Sequence, residues 1–373
     1  VPSTSSASQG ATSATPLATP SPAPSSAPSV YTQNIANTAG WIASSAQLSD
    51  GALTDSSTHI SPYFGNRAAI GLAIAGGHNA AVRKWMAWYV AHLNSADVWG
   101  TSGTVYDYTV SAAGAETSTN TSDSTDSYAA TFLSLALAFY RTNDASAQQY
   151  VLSLRPQLDS VANVIVNGQQ PDGLTWARPD YHIKYLMDNT EVYAGLSDYA
   201  TLLATGFNDQ ATSAAFTARA QRTASAIEAQ LWSPSDNEYY NYVGEAGFKQ
   251  PVDWTNYYSS AGELFPILYG LITPASSRAQ SLYSRFNSTF STWAQLEKPD
   301  KYPWALVSTV AALMNDATRA NSYVSAVDSQ YASRGYPYPW YDAEGGWFVE
   351  TNALLSSSNS ASKRRVIASF SHH

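Results

Sequence analysis

The 373-residue sequence contains no cysteine. Disulfides, thiolate catalysis and cysteine-built zinc sites are thereby excluded, while the compartment is left open. Charge is scarce: Asp, Glu, Lys and Arg make up 13% of the chain, about half the usual quarter. What charge there is sums to a formal −9, which argues against a nucleic-acid backbone or an anionic membrane as partner. No apolar run reaches the ~18 residues of a membrane-spanning helix. Histidines number six; His59, His78, His92 and His182 form no i, i+4 pair, so neither a transition-metal site nor a cofactor is expected. The G-x-S-x-G elbow, the P-loop and the dinucleotide glycine fingerprint are missing too, which removes the corresponding hydrolases, NTPases and dehydrogenases.

Aromatics, by contrast, are abundant, with 25 Tyr and 11 Trp. Few charges and many amphipathic rings suit a surface that covers flat, hydroxyl-bearing ligands such as sugars, although some of the rings must serve the core. The first thirty residues, "VPSTSSASQGATSATPLATPSPAPSSAPSV", are almost wholly Ser, Thr, Pro and Ala and carry no charge. Such a segment buries too little apolar surface to fold and reads as a disordered stalk or linker. Together with the sequons Asn120-Thr121-Ser122 and Asn287-Ser288-Thr289, it leads to the expectation of a secreted glycoprotein. The organisation expected is a stalk over 1–30 and one domain over 31–373.

The domain reads as all-α. Apolar residues recur three and four apart, giving helices over 33–46, 61–75, 78–94, 125–142, 144–165, 188–205, 208–232, 255–273, 275–294, 303–316, 317–331 and 347–368. Connections after the even-numbered helices are tight ("GGHN", "RTNDA", "TGFND", "ITPAS", "MNDA"). Those before them are long and rich in Tyr, Trp, Asp and Pro. Short connections make antiparallel neighbours, so the pattern predicts a double ring with every long loop at one end. The even helices, such as "SYAATFLSLALAFY", have little polar face and belong inside.

Six helical hairpins, with acid- and aromatic-rich loops opening each inner helix, resemble the (α/α)6 barrel of the six-hairpin glycosidases over residues 31 to about 370. "SDSTDSYAATFL" is similar to the acid-rich inner-helix start of family 8 glycosidases, and "LMDNTEVYAGL" to the Asp-Asn-bearing inner helix of unsaturated glucuronyl hydrolases. The family 8 pattern also carries an acid glutamate at its first inner helix, whereas "HISPYFGNRAAIGLA" has no carboxylate. The adjacent Asp-Asp pair of family 76 endo-mannanases is absent. The resemblance implies a barrel fold and a carbohydrate substrate.

Glycoside hydrolysis needs two carboxyl groups flanking the scissile bond. Asp126 and Asp188, at the starts of consecutive inner helices, are the leading pair. Asp123 shares a helical face with Asp126 and either raises its pKa or simply caps the helix. Glu191 lies one turn beyond Asp188. Glu263, within "SSAGELFPILYG", is either a raised-pKa acid or a satisfied core glutamate. Asp253 and Glu344 read as loop acids for sugar hydroxyls. Candidate substrate contacts on the rim are Tyr63, Arg67, Tyr128, Trp176, Tyr181, Asn189, Asp253, Trp254, Tyr257, Trp304, Trp340 and Trp347. Convergence of Arg67, Arg178 and Lys184 would point to a uronate; local salt bridges are the plainer alternative.

Three functions follow from these residues. The first is a monomeric, secreted hydrolase of polysaccharides or oligosaccharides that inverts the anomeric centre. The second is a polysaccharide lyase built on Tyr181, His182, Lys184 and Asn189. The third is a glycan-binding or surface protein without turnover.

Overall fold

The structure, a computed structural model, describes Ser3 and residues 29–357. The expected stalk, apart from Ser3, Ser29 and Val30, and the part of the last expected helix beyond 357 lie outside the described residues. Helices α1 (Val30–Trp41), α2 (Pro62–Ala75), α3 (Asn79–Ala91) and α4 (Thr125–Tyr140) form the first two hairpins. The third pairs α5 (Ala145–Ser153) and α6 (Arg155–Gly168) with α7 (Leu186–Thr205). The fourth pairs α8 (Gln210–Gln230) with α9 (Tyr257–Gly262) and α10 (Phe265–Leu268). The last two are α11 (Ser277–Thr289) with α12 (Ala305–Leu313), and α13 (Ala317–Gln330) with α14 (Asp342–Ser356). Two expected helices are each broken in two, and a proline stands in the first turn of the second half, Pro156 in α6 and Pro266 in α10. Proline suits a helix start and obstructs its interior.

The inner ring closes on itself: α2 packs on α4, α4 on α7, α7 on α10, α10 on α12, α12 on α14 and α14 on α2. This is the all-α (α/α)6 barrel the hairpin pattern predicts. Its inner members are buried almost all round, α4 from Thr125 to Phe139 without interruption, as a helix inside a second ring of helices must be. Closure depends on small residues. A Cβ on Gly346 would come within 2.4 Å of the Arg67 carbonyl oxygen, and one on Gly71 within 2.6 Å of Gly346 Cα, so α2 and α14 meet backbone to backbone.

That contact explains a departure from expectation. "DAEGGW" reads as loop, yet α14 begins at Asp342, because its two glycines are there for close approach and not for a turn. The long loops also contain short antiparallel strands that sequence periodicity does not reveal. Strands β1 (His59–Ile60), β2 (Tyr108–Val110) and β3 (Glu116–Ser118) form one sheet. In the other, β6 (Glu238–Val243) pairs with β4 (Lys184–Tyr185), β5 (Trp232–Ser233) and β7 (Lys249–Pro251). Of the two sequons, Asn120 is exposed. Asn287 is buried, with its carboxamide bonded to the Tyr283 carbonyl and the Trp293 indole.

Candidate active site

Three adjoining cavities of about 390, 410 and 360 Å³ open where the inner helices begin, and Met187 in the first turn of α7 lines all three. The largest share of the first wall is tyrosine, including Tyr63, Tyr257, Tyr269, Tyr302 and Tyr341; Arg67 and Trp347 lie below them. The Arg67 guanidinium sits 3.3 Å from the centre of the Trp347 ring and is ion-paired with Glu350. Burial lowers its pKa to about 10.

The expected carboxylates separate into distinct environments. Asp126 is buried and fully bonded: Ser124 Oγ and Ser127 N–H donate to Oδ1 at 2.7 and 2.8 Å, and Thr175 Oγ1 donates to Oδ2 at 2.5 Å. Burial raises its pKa to about 6 against these bonds. These bonds tie it to the loop around Thr175, whose N–H Asn189 accepts at 2.7 Å. Asp188 is half-buried and lines the third cavity beside the exposed Asp123. Desolvation raises it well above the carboxylate range, and the charges of Asp126, Glu191 and Asp123 add to the effect. Glu191 is buried beneath the first cavity, where its Oε1 accepts the hydroxyls of Tyr63 (2.6 Å) and Tyr269 (2.9 Å). Its pKa is pushed up to about 8, chiefly by burial. Glu263 lines none of the three cavities. It is fully buried, accepts the Tyr239 N–H and ties β6 to the break between α9 and α10.

The far side of the ring supplies a further acid, one that the sequence pattern puts in a loop. Glu344 stands in the first turn of α14 and lines the first cavity. Its carboxylate accepts the Ala305 N–H at 2.6 Å and the Trp304 N–H at 3.3 Å. It thereby sits at the positive end of α12, where a negative charge is favoured. Burial still raises it to about 7.

Of the expected sugar contacts, Tyr63, Arg67, Tyr181, Asp253, Tyr257 and Trp347 line a cavity, and the others do not. Tyr128 donates to Asp107 from the interior. Trp254 donates its indole N–H to Glu238, and Trp340 packs between Tyr331 and Phe348. Trp176 stacks on His182 at 3.7 Å. Trp304 is fully buried and backs Tyr257, stacked at 3.8 Å. The rim is thus built from tyrosine more than from tryptophan. Of its cations, Lys184 pairs with Asp172, Arg178 with Asp180 and Arg67 with Glu350, whereas Lys301 donates to the Tyr338 hydroxyl. His182 faces Glu245 with one ring nitrogen and the Pro179 carbonyl with the other.

By sequence, no protein-family model and no curated protein matches the chain. By structure it is similar to a wild-type glycosidase, at TM-score 0.64 and 13% identity over 87% of this chain and 97% of that one. It is also similar to a β-1,3-1,4-glucanase from Paenibacillus sp. X4, at 0.53 and 12% over 87% and 92%. A rhamnosidase from Klebsiella oxytoca with rhamnose bound matches at 0.58 and 11%, over 88% of this chain and 64% of the rhamnosidase. The chain has the six-hairpin glycosidase fold.

Within that six-hairpin fold, several cavity residues escaped the reading of the sequence. Tyr269 ends the apolar run "FPILYG", and a lone phenol on an inner helix was the available signal. Asp55 lies just ahead of "HISPYFGNR" and lines the first cavity with His59, to which it is bonded at 2.8 Å. The first hairpin therefore does bring a carboxylate to the cleft, from the loop before its inner helix. Tyr302 and Tyr338 come from loops with no periodicity to read.

Proposed function

We propose that the chain is a glycoside hydrolase acting on neutral polysaccharides or oligosaccharides, with Asp188 as proton donor and Glu344 as the base that activates water. One observation carries this reading. Two cavity-lining carboxyl groups start inner helices α7 and α14, which stand three positions apart around a closed ring of six and so on opposite sides of it. Neighbouring helix axes lie ~8–10 Å apart, so opposite axes of a six-membered ring stand roughly 16–20 Å apart. Helices with side chains are ~10–12 Å across, which leaves a gap of roughly 4–10 Å between the two. An acid and a water-activating base on opposite sides of the cleft is the arrangement of inverting glycosidases.

The roles follow from the surroundings. Burial, with the neighbouring Asp126 and Asp123, keeps the Asp188 proton in place, ready for the leaving-group oxygen. Two N–H groups at the start of α12 favour the ionised form of Glu344, which takes a proton from water as the water attacks the anomeric carbon and the glycosidic C–O bond breaks. Tyr63 and Tyr269, fixed by Glu191, present ring faces and edges to the sugar. A lyase is less well supported, because neutralising a uronate needs a cation and Arg67, Arg178 and Lys184, the cations expected to do so, are each paired with a carboxylate. Both nitrogens of His182 already meet acceptors, so it has no free lone pair for proton abstraction. Action outside the cell as a monomer fits the charge-free N-terminal segment and the exposed Asn120.

The test is a panel of neutral and acidic glycans, followed by reducing ends and ultraviolet absorbance together, with Asp188→Asn and Glu344→Gln alongside the wild type. Reducing ends without absorbance, lost in both variants, are expected. Absorbance rising with the reducing ends would replace the hydrolase by a lyase.

A further inference from the structure

The proposed reaction uses the deep, tyrosine-lined cavity and the arm that holds Asp188. Two arms, however, open from the deep cavity, one on either side of the start of α7. The Asp188 arm lies between the starts of α4 and α7. The other, about 410 Å³, lies between the starts of α7 and α9 and is walled by β6 and β7. Tyr185 and Met187 line both arms, and Met187 lines the deep cavity as well, so all three meet at one side chain. A linear chain cleaved at Asp188 occupies the deep cavity and one arm. The second arm is surplus to it.

The chemistry of that second arm is nevertheless suited to a sugar. Its wall carries the carboxamides of Asn241 and Gln250 and the carboxylate of Asp253, flanked by the rings of Tyr242 and Tyr258. No Lys, Arg or His is among its described lining residues. Asp253 commits Oδ1 to Thr255, with bonds of 2.9 Å from its N–H and 2.7 Å from its hydroxyl, and that leaves Oδ2 available. Groups that both donate and accept, set between ring faces and without a cation, recognise neutral hydroxyls and carry nothing to offset an acidic sugar.

We infer that this arm is a branch subsite: the substrate is a neutral glycan that carries a side branch at the sugar seated against Met187. The inference rests on the hydrolase reading for its orientation but not for its binding chemistry, and the experiment separates the two. Glu344→Gln is titrated calorimetrically with matched linear and branched oligosaccharides: mannopentaose against galactosyl-mannopentaose, cellotetraose against xylosyl-cellotetraose, xylotetraose against arabinosyl-xylotetraose. Wild type is assayed for turnover on the same pairs. At least one branched member is expected to bind about tenfold tighter than its linear partner, the worth of one or two net hydrogen bonds. Asn241→Ala with Gln250→Ala, added to Glu344→Gln and checked for an unchanged melting temperature, should bring that ratio close to one. Equal binding of every pair, or a preference that survives the double substitution, overturns the branch subsite. Branched binding that depends on Asn241 and Gln250, without turnover by wild type, overturns the hydrolase and keeps the subsite. Turnover that ignores branching does the reverse, and silence across all pairs overturns both.

Discussion

Asp126 and Asp188 enter the fold in the same way. Each stands in the first turn of an inner helix, the two helices are neighbours, and burial raises both carboxyl groups. Their surroundings divide them. Ser124, Ser127 and Thr175 engage both oxygens of Asp126, whereas Asp188 follows Met187 into a cavity and keeps an open side. The contrast between Glu263 and Glu344 repeats the lesson, since both accept backbone N–H groups but only Glu344 also lines the cleft. An acid at the mouth of such a barrel is a strut or a reagent according to what the adjoining loop offers it.

The largest expected effect breaks this contrast most directly. Removing a positioned acid or base costs about 10²–10⁴-fold in rate, so Asp188→Asn and Glu344→Gln should each lower kcat by that much on whatever glycan is turned over. Asp126→Asn keeps an acceptor for Ser127 and leaves Thr175 able to turn its hydroxyl, so it should retain most of the activity. If Asp126→Asn is as dead as Asp188→Asn, the division between strut and reagent is wrong. Asp126→Ala sharpens the same point through stability. It removes three buried hydrogen bonds, at a cost on the order of 3 kcal/mol, which denaturant unfolding should report as a lower midpoint with an unchanged slope.

How far the sequence reveals this molecule depends on the kind of signal. Hairpin order and the identity of the inner ring were legible, because burial on all sides leaves a continuous apolar record such as "AATFLSLALAF". The glycines of "DAEGGW" were not, since a sequence does not distinguish a glycine needed for a turn from one needed for contact. Gly346→Ala tests that reading: its Cβ would meet the Arg67 carbonyl, and overpacking of this kind costs about 1–3 kcal/mol, seen as a lower Tm. A change of a few tenths would mean that α2 and α14 can part. The acids were legible as a set but not in their roles. Thr175, which occupies Asp126, lies 49 residues away in the chain, and Ala305, which holds Glu344, lies 39 away. Tryptophans mislead for a related reason: Trp254, Trp304 and Trp340 precede the inner helices yet turn onto Glu238, Tyr257 and Phe348, so their position beside acids and tyrosines says nothing about which way they face.

The remaining effect concerns Glu191, and its sign can be worked out. The native carboxyl titrates at about 8, whereas an unfolded glutamate titrates near 4.3. Between those values the folded chain holds a proton that the unfolded chain has lost. Folding stability contributed by this group therefore falls as pH rises across the window, by at most about 1.4 kcal/mol per pH unit for one proton. Glu191→Gln removes that proton difference and keeps an acceptor for Tyr63 and Tyr269, so it should flatten the decline measured by denaturant unfolding between pH 5 and 8. The rate has a separate pH limb. Glu344 must be ionised to act and titrates at about 7, so kcat/KM should rise with pH through 7 in the wild type and in Glu191→Gln alike. A rate limb that moves with Glu191 while stability stays put would transfer the base from the α14 side of the cleft to the α7 side, and with it the geometry on which inversion was argued.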